Sequence, residues 1–212
     1  MAKTKVEFVC RECGASHHQW AGQCLDCKEW NTLEEIVISQ ATSSKPESLK
    51  DLPASKVQNL TEIKAQNKDR LSTGLSELDR TLGGGLVDGS VVLIGGDPGI
   101  GKSTLILQAL AKLNSDNTTL YVSGEESAEQ VSERAIRLGI KEDILFIGET
   151  HLEKIIKLSK DVKPKVIVID SIQTMVTDLS ASAPGSVTQV RDCAAQLTQF
   201  AKQTNTILLM IG

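Results

Sequence analysis

The segment Gly96-Asp97-Pro98-Gly99-Ile100-Gly101-Lys102-Ser103 constrains this chain more than any other. It follows an apolar run, Val91–Ile94, and opens an amphipathic stretch, Lys102–Leu113. Its glycines let successive backbone N–H groups turn inward as a nest for an anion, and a helix starting there adds its positive end. The spacing is that of a phosphate loop, G-x-x-x-x-G-K-[ST], which requires a strand before it and a helix after it. In this pattern Lys102 reaches the β- and γ-phosphates of a nucleoside triphosphate, and the Ser103 hydroxyl is offered to Mg2+.

A second run fits the same plan. Val166-Ile167-Val168-Ile169-Asp170 is four apolar residues and then an acid. Buried parallel strands look like this, and ligands gather at their carboxyl ends, so Asp170 is placed to hold the magnesium shell. A third acid comes from Tyr121-Val122-Ser123-Gly124-Glu125-Glu126-Ser127, at the end of another strand candidate. A carboxylate there orients or deprotonates an attacking water, Glu125 first and Glu126 in reserve. The plainer alternative is that both acids decorate the first turn of the next helix. Lys102, Glu125 and Asp170 are the catalytic candidates.

Strand candidates at Val91–Ile94, Thr119–Ser123, Ile144–Ile147, Val166–Asp170 and Thr206–Ile211 alternate with amphipathic stretches. Three of those stretches begin with capping-box spacing: Ser127 before Gln130, Thr150 before Glu153, Ser186 before Gln189. The expected class is α/β, a mostly parallel sheet with helices on both faces.

Of five cysteines, four sit near the start as Cys10-x-x-Cys13-Gly14 and Cys24-x-x-Cys27. Two residues between thiols let one turn aim both sulfurs at a single ion, and four thiolates match tetrahedral Zn2+ with no position left open. The site is therefore structural; an iron–tetrathiolate centre uses the same ligands and stays open as an alternative. A unit of this size needs the metal to fold. With the shell complete, His17 and His18 are read as surface polar residues. Charges around the cysteines balance, so DNA contact and protein docking fit equally. Cys193 lies on a helical stripe with Val190, Leu197 and Phe200 and reads as a small core residue.

The domains expected are a four-cysteine module at 1–34, a polar linker at 35–70 and a nucleotide-binding core at 71–212. A net charge of −4 argues against electrostatic coating of nucleic acid but leaves room for a local groove. The opening residues lack the apolar run of a signal peptide, and no apolar stretch is long enough for a bilayer, so the expected location is the cytoplasm, with no membrane partner.

Together these motifs resemble one family. Thr73-Gly74-Leu75-Ser76-Glu77-Leu78-Asp79, Leu82-Gly83-Gly84-Gly85 and Gly89 look like the lead-in to RecA-type ATPase cores, and Gly95 through Thr104 fits the same group. The cysteine module with Trp20-Ala21-Gly22-Gln23-Cys24 and Trp30-Asn31-Thr32 narrows the resemblance to the bacterial RadA (Sms) DNA repair family, as do Asp170–Thr174 and Pro184–Val187. The resemblance implies a RecA-like P-loop core behind a zinc-ribbon-like module, binding ATP, Mg2+ and Zn2+ and cradling nucleotide with Gly96, Asp97, Pro98, Gly99, Ile100, Gly101, Lys102, Ser103 and Thr104. It implies a DNA-dependent ATPase that processes or branch-migrates recombination intermediates and stalled or branched DNA. Its implied partners are single-stranded and branched DNA and a RecA-type recombinase, in a homo-hexamer at full length. By the same analogy Thr177–Val187 is a DNA-facing loop. The family continues beyond the point corresponding to Gly212, so this chain alone is expected to bind Mg-ATP weakly and hydrolyse it poorly. A small-molecule kinase and a nucleotide switch without hydrolysis are the competing readings; the zinc module and the glycine-rich lead-in speak against the kinase.

Overall fold

A computed structural model of the chain describes residues 5–38, 59, 69–180 and 182–212. The chain divides into two compact units, one comprising Met1–Cys10 and Ala15–Lys68, the other Arg11–Gly14 and Asp69–Gly212. The first carries a small antiparallel sheet of β1 (Lys5–Cys10), β2 (Ser16–His17) and β3 (Leu33–Ile38), in the order β2-β1-β3. Every residue of β1 pairs with β3, from Cys10 opposite Leu33 to Lys5 opposite Ile38. The sheet thus runs past the boundary expected at 34, because nothing in Leu33–Ile38 breaks a strand while the partner still offers backbone groups. Most of the expected linker lies outside the described residues.

The second unit runs α1 (Ser76–Thr81), β4 (Val91–Ile94), α2 (Lys102–Leu113), β5 (Thr119–Ser123), α3 (Ala128–Arg137), β6 (Leu145–Gly148), α4 (Leu152–Val162), β7 (Val166–Asp170), α5 (Val187–Thr204) and β8 (Ile207–Ile211). Its five strands are all parallel, in the order β4-β8-β7-β5-β6. The three central strands are buried at every residue, which explains why their sequences are continuous apolar runs rather than alternations. β4, which leads into the phosphate loop, lies at the end of the sheet, and its Leu93 is 62% exposed.

Alternation along β7 sorts the core into two layers. Val166 and Val168 pack with Ile106, Leu110 and Leu113 of α2, whereas Ile167 and Ile169 pack with Ile155 of α4 and Leu197 of α5. Cys193 is buried in this second layer, as its stripe predicts. Asp170, two residues beyond Val168, falls on the α2 face, the face of the phosphate loop.

Two of the three expected caps form. Ser127 and Gln130 make a reciprocal capping box, and Ser186 Oγ accepts from Gln189 N. Thr150 does not cap α4. The N-cap is His151, and the Glu149 carboxylate accepts from the backbone N–H groups of Thr150 and His151 at 2.9 and 3.0 Å. Glu153 is drawn away instead to the hydroxyl of Thr177.

The His151 backbone donor first, then Lys154, holds the Glu149 carboxyl down at about 2 against a usual 4.5. A depressed carboxyl stabilises the fold above its unfolded value and loses that effect as pH falls through the folded one. Glu149→Gln should lower the urea midpoint at neutral pH, and its gap to wild type should narrow between about pH 4.5 and about 2.

Candidate nucleotide site and four-cysteine centre

The phosphate loop connects β4 to α2 through Gly101, the N-cap of α2, whose φ of 99° belongs to the left-handed region open to glycine. Lys102 Nζ donates to the carbonyls of Gly96 and Asp97, at 2.6 and 3.0 Å, which holds the ammonium over the loop. Lys102, Ser103 and Thr104 line a cavity of about 430 Å³ together with Glu125, Glu126 and Asp170. All three sequence-derived acids and the loop therefore share one space. A larger cavity of about 690 Å³, lined by Asn117, Ser159, Lys163 and Asn205, contains none of these residues.

Strand pairing explains the convergence. Ser123 of β5 stands opposite Asp170 of β7, and Gly124 N donates to Asp170 O at 2.9 Å, so the two chain ends leave the sheet side by side. A Cβ on Gly124 would collide with Thr174, whose hydroxyl is fixed on Ser171 O at 2.8 Å. The next residue, Glu125, accepts from the Ser171 hydroxyl. Glu126 turns the other way: its N–H donates to Ser123 Oγ and its carboxylate is paired with Arg134 of α3.

Asp170 is 5% exposed and accepts from the hydroxyl of Tyr121, which is fully buried on β5. Burial first, then the charge and hydrogen bond of Asp170, push the Tyr121 phenol far above its usual range. The peptide between Asp170 and Ser171 is cis. Tyr121, Ser171, Arg134 and Arg137 are cavity residues or their direct partners that motif spacing missed. The one available signal was Tyr121, a hydroxyl-bearing ring within an otherwise apolar strand core. Thr177, at the start of the expected DNA-facing loop, is 3% exposed and tied to Glu153 and Gln196, whereas Leu179 is 80% exposed.

The sulfurs of Cys10, Cys13, Cys24 and Cys27 lie within 4.8 Å of one another. Cys10 and Cys27 are 3.6 Å apart. A zinc tetrahedron with bonds of about 2.3 Å has edges of about 3.8 Å, so the donors fit the ion. Cys24 N donates to Glu29 O and Lys28 N to Cys24 O, both at 2.9 Å, closing the second knuckle. His17 is not the surface residue expected. Its side chain is 11% exposed, and Nε2 lies 3.4 Å from Cys24 Sγ and 3.5 Å from Asp26. Pairing of His17 with Phe8 across β1 and β2 carries it inward.

Comparison with known proteins gives two family matches. The KaiC ATPase family matches residues 71–146, and the LapB zinc ribbon, described as a rubredoxin metal binding domain, matches residues 8–35. Over its whole length the chain is 51% identical to the DNA repair protein RadA of Pseudomonas aeruginosa, 48% to that of Escherichia coli and 44% to that of Bacillus subtilis. By sequence, the whole chain is similar to the first half of RadA proteins. It spans about half the length of these curated relatives, 47%, 48% and 47% of them respectively. The ATPase match implies ATP and Mg2+ as cofactors, and the zinc-ribbon match with four clustered cysteines supports Zn2+.

Two outcomes follow for this chain. Burial pushes the Cys193 thiol up to about 11, so chelating the zinc should expose four thiols to a neutral thiol reagent and leave the fifth, Cys193, unreactive until denaturant is added. Tyr121→Phe keeps the ring stacked against Phe146 and removes only the donor to buried Asp170. It should destabilise the fold by about 1–3 kcal/mol in urea unfolding.

Proposed function

We propose that this chain carries the zinc module and the ATP-hydrolysing core of a cytoplasmic, DNA-dependent ATPase of recombinational repair. The observation that carries the reading is the convergence of Lys102, Ser103, Glu125 and Asp170 on one cavity at the carboxyl ends of the strands. In this reading the zinc module extends through Ile38 and the ATPase core begins near Asp69.

Lys102 binds the β- and γ-phosphates while the backbone of Gly96–Thr104 cradles them. Ser103 and Asp170 would hold Mg2+, which would supply positive charge to offset that of the phosphates. Tyr121 orients Asp170 through its hydroxyl, and a neutral donor does so without cancelling the carboxylate's charge. Glu125, fixed at one oxygen by Ser171, positions the attacking water and accepts its proton. Glu126 is spoken for by Arg134, which supports Glu125 over Glu126 as that acid.

The names of the relatives and the family resemblance support DNA repair as the setting. The family resemblance alone further implies single-stranded and branched DNA as ligands, a RecA-type recombinase as partner, branch migration as the work and a homo-hexameric ring at full length. Among the described residues no helix is long and apolar enough to cross a membrane.

Phosphate release from ATP, measured with and without single-stranded DNA, tests the reading. DNA should raise the rate, and Lys102→Ala should abolish it. Glu125→Gln should lower kcat about 10²–10⁴-fold while nucleotide still binds. Full phosphate release by Glu125→Gln would remove Glu125 as the acid, and nucleotide binding without phosphate release by the wild-type chain would favour a nucleotide switch.

A further inference from the structure

Three carboxylates and three cations line the nucleotide cavity: Glu125, Glu126 and Asp170, with Lys102, Arg134 and Arg137. The partners of the acids differ in kind. Asp170 and Glu125 accept from neutral hydroxyls, those of Tyr121 and Ser171, whereas Glu126 accepts from a guanidinium. The side chains of Arg134 and Glu126 are 13% and 30% exposed, so the pair is largely withdrawn from water. Only Nη2 and Oε1 meet. Arg134 Nη1 and Glu126 Oε2 are buried without a hydrogen-bond partner.

A half-satisfied buried pair contributes little to stability, and breaking it is costly because one charge is left uncompensated. Its position explains it better than stability does. Glu126 is fixed from behind by its own N–H on Ser123 Oγ at 2.9 Å, so its carboxylate stays at the cavity wall. An incoming triphosphate is anionic even with Mg2+ bound, and a bare carboxylate there would oppose it.

We propose that Arg134 is a positioning residue for the triphosphate site. By holding and neutralising Glu126 it removes one of three carboxylates from the field that the phosphates meet, and leaves Glu125 as the acid turned towards them. This rests on the placement of the triphosphate at the phosphate loop. Arg137, one helical turn along α3, is exposed, makes no ion pair among the described residues and remains as a cation at the cavity rim.

Binding of a fluorescent, non-hydrolysable ATP analogue with Mg2+ to the intact chain tests the proposal independently of any rate. Arg134→Met should weaken binding on the order of tenfold, the scale of one uncompensated charge near a phosphate. Arg134→Lys, which keeps the charge, should retain most of the affinity. Glu126→Gln should bind at least as tightly as wild type, and Arg134→Met combined with Glu126→Gln should return affinity to the wild-type level. That rescue separates the proposal from misfolding and from direct contact. Weak binding that persists in the double variant would mean that Arg134 touches the phosphate itself, and wild-type binding by Arg134→Met would mean that Glu126 needs no neutralising; either overturns the proposal. Lys102→Ala in the same titration checks the site: wild-type binding there removes the triphosphate from the loop, and the proposal with it.

Discussion

Ser123 and Asp170 face each other across β5 and β7, and the chemistry of the second unit depends on that pairing. Parallel strands in register end together, so the acid that ends one strand and the acids that follow the other arrive at the same place. Period-two alternation then puts Asp170 on the layer occupied by α2, whose first residues are the phosphate-loop lysine and serine. A slip of one residue in β7 would turn Asp170 into the opposite layer, among Ile155 and Leu197, with no polar partner to receive it. The fully buried centre of the sheet makes such a slip costly, since each apolar side chain would change layers at once.

Local partners then give three similar side chains three different tasks. A hydroxyl donor orders a carboxylate and leaves its charge available, as Tyr121 does for Asp170 and Ser171 for Glu125. A guanidinium both orders and cancels, as Arg134 does for Glu126. Neighbouring glutamates in the sequence are thereby separated in role by where their donors come from, one from β7 and its following turn, the other from α3.

What was legible in the sequence was what the backbone demands at fixed spacing. The phosphate loop needs glycines and Lys-Ser in one order, and the knuckles need two residues between thiols; both were readable residue by residue. The buried strands were readable because a central parallel strand has no polar face to disguise it. What failed to show depends on partners distant in sequence. Tyr121 and Arg134 look ordinary until β7 and Glu126 are beside them. His17 turns inward only because β2 pairs with β1. The cap of α4 was misread for a different reason: Glu149 and Thr150 are adjacent, and spacing cannot tell which one the chain direction will aim at the helix end.

The aromatic residues are divided with unusual economy. Both tryptophans, Trp20 and Trp30, are exposed and lie within the zinc ribbon's matched span, whereas the chain's only tyrosine is buried against Asp170. Indole emission excited on the long-wavelength side of the phenol band therefore reports on the zinc-ribbon span alone, because the buried phenol does not absorb there. The chain's own tryptophans thus let that span be followed optically with no label attached.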